Sequence, residues 1–107
     1  MSLEQRQHQR RDISLQVKYR TTGEFVDDYT ANISIGGCFV KSDQVFTLGQ
    51  QFPMSLFLPN GHEIKTNATV RWVSPSTEFP GVGVQFEVLS KSDRALILDL
   101  VTTENEL

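Results

Sequence analysis

Residues 51–73 read QFPMSLFLPNGHEIKTNATVRWV, and their pattern decides the fold. Phe52, Met54, Leu56 and Leu58 recur at every second position, the period at which a strand sends alternate side chains to one face. Pro59-Asn60-Gly61 then stops the run, and Asn-Gly is among the strongest short-range hairpin signals because both residues accept positive φ. A second strand is predicted from about Glu63 to Val73, with Ala68, Val70 and Trp72 on one side and Thr69 and Arg71 on the other. That phase makes Trp72 a core side chain.

The same period extends in both directions. Ile13, Leu15, Val17 and Tyr19 alternate with Ser14, Gln16 and Lys18, which predicts a first strand starting at residue 13. Residues 25–33 form a second strand ending at the Gly36-Gly37 break, and Cys38-Phe39-Val40 a short third one, so a hairpin is implied. After a polar loop at residues 74–80, Val82, Val84, Phe86 and Val88 alternate again, with Gly83 allowing another backbone to approach. Ser90 then reads as a helix cap with Asp93 at the capping-box position, followed by Leu96, Ile97, Leu100 and Val101 at helical spacing. Six short antiparallel strands and one terminal helix favour an all-β architecture: a closed six-stranded antiparallel β-barrel, since closure removes exposed edges, with a C-terminal α-helix over one end.

The bulk composition fits that reading. With 107 residues, 38% hydrophobic and 21% charged, the chain has room for one core and no need of disulfides. Its single cysteine, Cys38, has no internal partner and fits a reducing compartment, with cytoplasm the default. No apolar run reaches membrane-spanning length, and MSLEQRQHQRRD lacks the apolar centre of a signal peptide, so no membrane association is expected. The net charge of −3 argues against binding a nucleic-acid polymer. Within the first twenty residues, however, Arg6, Arg10, Arg11, Lys18 and Arg20 face only Glu4 and Asp12. A basic arm, residues 1–12, is expected to lead flexibly into an acidic body, residues 13–107.

Two clusters carry chemistry. Arg6-x-x-x-Arg10 stands immediately before the first strand, and Asn32-x-Ser34-x-x-Gly37 closes the second and enters its turn. Arginine's planar fork suits bidentate contact with phosphate and with the O6/N7 edge of guanine, and it stacks on flat rings. Asn32 and Ser34, two apart on a strand, are expected to face the same way and to bond a base or phosphate together, while the glycines let the ligand near the backbone. Either cluster alone is common in proteins that bind neither ligand nor partner.

Together, in this order and on this strand pattern, they resemble the PilZ domain, a bacterial receptor family for cyclic di-GMP marked by RxxxR followed by (D/N)xSxxG. The resemblance runs on through Tyr19-Arg20-Thr21, residues 25–39 (FVDDYTANISIGGCF), Leu58-Pro59, Val70-Arg71-Trp72-Val73 and residues 81–86 (GVGVQF), and is similar to the single-domain form common in myxobacteria and their relatives. It implies a six-stranded barrel with a C-terminal helix, matching the strand reading. It also implies that Arg6 and Arg10 contact phosphates and guanine edges, and that Asn32, Ser34 and Gly37 form the rest of the ligand site. Counting back from Tyr19 places Arg10, not Arg11, at the second arginine. Gln9, Arg11, Gly36 and Trp72 are auxiliary candidates, Gly36 as a shaper of the turn and Trp72 as a stacking ring if it is not in the core. Asn32 stands where many members carry aspartate, and its one acceptor oxygen predicts weaker guanine binding than a carboxylate would give. Gln5, just before Arg6, bears on stoichiometry.

Nothing in the sequence assembles a catalytic site. His8 and His62 are far apart, without ligands at metal spacing, and both are expected to be solvated. Asp27 and Asp28, adjacent on a strand, point to opposite faces and read as surface charges. Cys38, beside Phe39 and Val40, reads as a small buried apolar group. The function that the resemblance implies is a cyclic di-GMP receptor or adaptor without a cofactor. Its arm orders on binding, and it passes the signal to an unidentified downstream protein in motility, biofilm or surface behaviour. The alternative is a barrel that binds no nucleotide and acts through protein contacts, as in pilus assembly.

Overall fold

The alternating stretches fold as strands. In the computed structural model, which describes residues 9–102, the elements are β1 (Arg11–Asp12), β2 (Gln16–Arg20), β3 (Phe25–Ile33), β4 (Gly37–Lys41), β5 (Gln51–Phe57), β6 (Glu63–Val73), β7 (Gly81–Phe86) and α1 (Lys91–Thr102). Antiparallel pairing runs β3-β2-β5-β6-β7-β4 and closes from β4 back to β3, giving the expected six-stranded barrel with its C-terminal helix. The β5–β6 hairpin turns at Asn60-Gly61, where Gly61 adopts φ 91°, the left-handed region that only glycine enters freely. Val17, Tyr19, Leu56, Ile64, Val70, Val82 and their neighbours fill the interior, and Ile97 and Val101 of α1 are fully buried against it. Ser90 caps α1, its hydroxyl accepting from the Asp93 N–H at 3.1 Å. Among the described residues, no helix is long and apolar enough to cross a membrane.

Outside the candidate site, the structure departs from expectation at four places. Pairing begins before residue 13: β1 lies against β3, Arg11 opposite Ile33 and Asp12 opposite Asn32, so the last residues of the expected arm already belong to the sheet. The first strand is broken at residues 13–15, and the break is patched by one side chain. Fully buried Thr30 accepts from the Leu15 N–H at 2.9 Å and donates to the Ile13 carbonyl at 2.7 Å. β7 ends at Phe86, leaving Val88 95% exposed instead of continuing the inward row. His62, expected to be solvated, sets its Nε2 3.1 Å from Asp93 Oδ1, tying the β5–β6 turn to the start of α1. His8 lies outside the described residues.

The patch at Thr30 makes a prediction. Thr30→Val keeps the shape but leaves the buried Leu15 N–H and the partly buried Ile13 carbonyl without this partner, the first costing about 1–3 kcal/mol and the second less. Thermal unfolding of this variant should fall by roughly 10 °C or more; an unchanged midpoint would show that the break at residues 13–15 finds other partners.

Candidate functional site

Two β-bulges build the site. Opposite β4, the register of β3 shifts between Thr30 and Asn32, so the inward row passes from Thr30 to Ile33 and Asn32 turns outward. Opposite β7, the register of β6 shifts between Val70 and Trp72. Val70 stays buried, whereas Arg71 is exposed and Trp72 is 52% exposed, which corrects the expectation of a core tryptophan. An extra residue reverses the phase of everything after it, and simple alternation does not register that.

Both bulges face one depression of about 460 Å³, and Arg10, Asn32, Ser34, Gly36, Gly37 and Trp72 all line it. The Arg10 guanidinium donates to Asn32 Oδ1 at 2.6 Å, so the two halves of the expected motif already touch across β1 and β3. Arg71, Gln85 and Phe39, which were not among the expected site residues, join them. The Arg71 Nε–H donates to Gln85 Oε1 at 2.7 Å, fixing the plane of a second fork. Phe39 and Trp72 pack at 5.7 Å between ring centres, lying across β7 where it carries glycine. A Cβ on Gly81 would come within 2.6 Å of the Phe39 ring, while one on Gly83 would meet Trp72 at an ordinary 3.5 Å. Gly83 thus faces a side chain rather than the approaching backbone expected there. No carboxylate lines the depression among the described residues.

Residues 4–103 match the PilZ domain. The chain belongs to the PilZ domain family. Among solved structures it is similar to the Bacillus subtilis inhibitor of motility (MotI/DgrA), with a TM-score of 0.81 and 25% identity, over 90% of this chain and 49% of that one. It is also similar to MrkH of K. pneumonia in its c-di-GMP complex, with a TM-score of 0.76 and 18% identity, covering 92% of this chain and 51% of that one. The third is the PilZ domain of Escherichia coli YcgR with c-di-GMP, with a TM-score of 0.70 and 12% identity, covering 92% and 90%. The chain therefore spans about half the length of MotI and MrkH. No curated protein sequence matches.

Within this PilZ barrel the expected site residues divide by the direction of their side chains. Gln9 and Arg11 do not line the depression. Gln9 Nε2 donates to the Val101 carbonyl at 3.3 Å and Arg11 Nη1 to the Leu100 carbonyl at 2.9 Å, satisfying acceptors that the last turn of α1 leaves open. Arg10, between them on an extended backbone, points the other way. Ser34 lines the depression but is 1% exposed, and its hydroxyl accepts from the Gly36 N–H at 3.2 Å inside the hairpin turn, so it does not present its side chain beside Asn32 as the strand period suggested. Gly37 meets a different constraint from ligand approach: a Cβ there would run into the Val84 carbonyl of β7. Arg6 and Gln5 lie outside the described residues.

Cys38, between the two halves of the PilZ motif and β7, is buried as expected, and burial pushes its thiol from 9.0 up to about 12, with nearby Arg10 pulling slightly the other way. Tyr19 is raised too, first by burial and then by its hydrogen bond to Asp28. That bond, 2.6 Å long, ties Asp28 to a buried hydroxyl, so Asp28 is more than the surface charge it was expected to be. A thiol whose folded pKa exceeds its unfolded one holds its proton longer in the folded state. Its stabilising effect is complete below about pH 9 and lost as pH rises toward 12. Denaturant unfolding should therefore show stability falling with pH over that window. Cys38→Ala should flatten the fall by up to about 1.4 kcal/mol per pH unit, and an identical slope in both proteins would contradict the assignment.

Proposed function

We propose that this PilZ domain is a reversible receptor for cyclic di-GMP that binds the dinucleotide without altering it. The observation that carries the reading is the depression itself. On a protein of net charge −3, two guanidinium groups, an exposed indole and two side-chain amides converge where no described carboxylate lies. Such a surface favours a ligand that is both anionic and flat.

Arg10 and Arg71 take the phosphates or the Hoogsteen edge of guanine, and Trp72 offers a base its face. Asn32 supplies one acceptor, and Ser34 and Gly37 hold the turn that carries the rim. Arg6, four residues before Arg10, brings a second guanidinium of the arm onto the ligand as the arm orders. Ordering on binding reduces net affinity, which suits a sensor that must release its messenger. The arm, the ligand and the barrel rim then form the surface that another protein reads. The similarity to solved domains holding c-di-GMP supports the fold-level part of this reading.

Calorimetric titration with cyclic di-GMP tests it. Saturable heat with ligand recovered unchanged is expected; no heat at about 50 µM ligand would leave the barrel as an adaptor that works through protein contacts alone.

A further inference from the structure

We propose that a second groove, beside the nucleotide depression, docks an extended arginine- or lysine-rich segment of a partner protein. This groove of about 440 Å³ lies between β3, β4 and the loop of residues 74–80. Phe39 and Phe79 form its apolar walls, and Asp28, Asp43 and Glu78 line it against a single described cation, Lys41. Among the described residues, no ion pair involves those three carboxylates. Asp28 is held by the neutral Tyr19 hydroxyl, which orients one oxygen without balancing its charge. An anionic occupant would be repelled, and an uncharged one would leave the carboxylates uncompensated. An arginine or lysine side chain satisfies both walls and rim, its cation over a ring face and its N–H groups on the carboxylates.

The loop adds an independent reason. Phe79 is 73% exposed, yet it is held by serine side chains: Ser74 Oγ donates to the Phe79 carbonyl at 2.9 Å, and Ser76 Oγ accepts from the N–H groups of Glu78 and Phe79, both at 3.0 Å. These bonds fix the loop backbone from which the Phe79 ring and the Glu78 carboxylate project, while both residues stay exposed. A preorganised surface of this kind lowers the cost of ordering when a partner binds.

Phe39 also lines the nucleotide depression and packs on Trp72, so the two grooves share one ring. That the groove serves as the output face of the receptor rests on the cyclic di-GMP reading; its affinity for a basic segment does not. The test is fluorescence anisotropy with a short labelled peptide alternating arginine and leucine, and with its glutamate counterpart. The arginine peptide should bind, and the exposed-site pair Asp43→Lys/Glu78→Lys should weaken it about tenfold or more. The pair Glu63→Lys/Glu87→Lys, exposed at the opposite ends of the strands with the same charge change, should weaken it less than about threefold. Equal weakening by both pairs, or equal binding of the glutamate peptide, overturns the groove. Saturating cyclic di-GMP should change peptide affinity about fivefold or more. Bound nucleotide with unchanged peptide affinity overturns the output role alone, and absent nucleotide binding overturns the receptor reading while the nucleotide-free measurements still decide the groove.

Discussion

Arg10→Ala should weaken cyclic di-GMP binding by roughly tenfold to a thousandfold, because charge-assisted hydrogen bonds contribute about 1.5–3 kcal/mol each and the fork makes one or two of them. The effect should appear in calorimetry as a loss of affinity with little change in the unliganded protein. Arg10 is exposed, and its described hydrogen-bond partner is Asn32, itself on the rim, so thermal stability should move by no more than about 0.5 kcal/mol. Arg10→Lys keeps the charge but not the planar fork and should fall between wild type and alanine. Arg11→Ala provides the contrast. Its guanidinium is spent on the Leu100 carbonyl, so it should loosen the end of α1 and leave affinity within about threefold. If Arg11→Ala costs more affinity than Arg10→Ala, the strand count that separates them is wrong. Arg71→Ala, on the opposite wall, should weaken binding without the sequence motif being touched.

That last residue shows where sequence reading stops. The barrel was legible because inward rows such as Phe52, Met54, Leu56 and Leu58 carry the period of a half-buried strand, and Asn60-Gly61 fixes the turn between β5 and β6. Arg10 was preferred to Arg11 by counting back from Tyr19 to the family's second arginine, while Gln9 and Arg11 stayed auxiliary candidates; only the structure shows those two side chains turned to α1. Arg71 was missed, and Trp72, kept as an auxiliary candidate, was expected in the core, because the register shift opposite β7 is set by pairing between strands distant in sequence and has no local signature. Asn32 turns outward for the same kind of reason, through the shift opposite β4. The break at residues 13–15 was hidden behind intact alternation, since Thr30, fifteen residues away from Leu15, supplies the missing bonds. At both register shifts the period was right until the pairing slipped by a residue, and those two shifts are what aim the site.

Gly37→Ala should be the most damaging single methyl in the domain. Gly37 is buried at the start of β4, paired with Gln85, and a Cβ there would overlap the Val84 carbonyl oxygen. That atom is backbone within the β4–β7 ladder, so the clash cannot be relieved by turning a side chain. The strands must part by more than the ladder tolerates, and the pairing they lose helps close the barrel. Overpacking of this kind costs about 1–3 kcal/mol where side chains can yield and more where they cannot. A loss of about 4 kcal/mol is expected, a large share of the roughly 5–15 kcal/mol that holds a domain of this size. Gly83→Ala is the matched control, because its methyl would only reach ordinary contact with Trp72; it should stay within about 1 kcal/mol of wild type. Denaturant unfolding of both variants separates the two roles a motif glycine can play. If Gly37→Ala folds with wild-type stability but loses the dinucleotide, Gly37 is there for the ligand. If it loses stability first and binds normally when kept folded at low temperature, the glycine in this motif belongs to barrel closure, and the rim that Arg10 and Asn32 occupy exists because β4 and β7 can come this close.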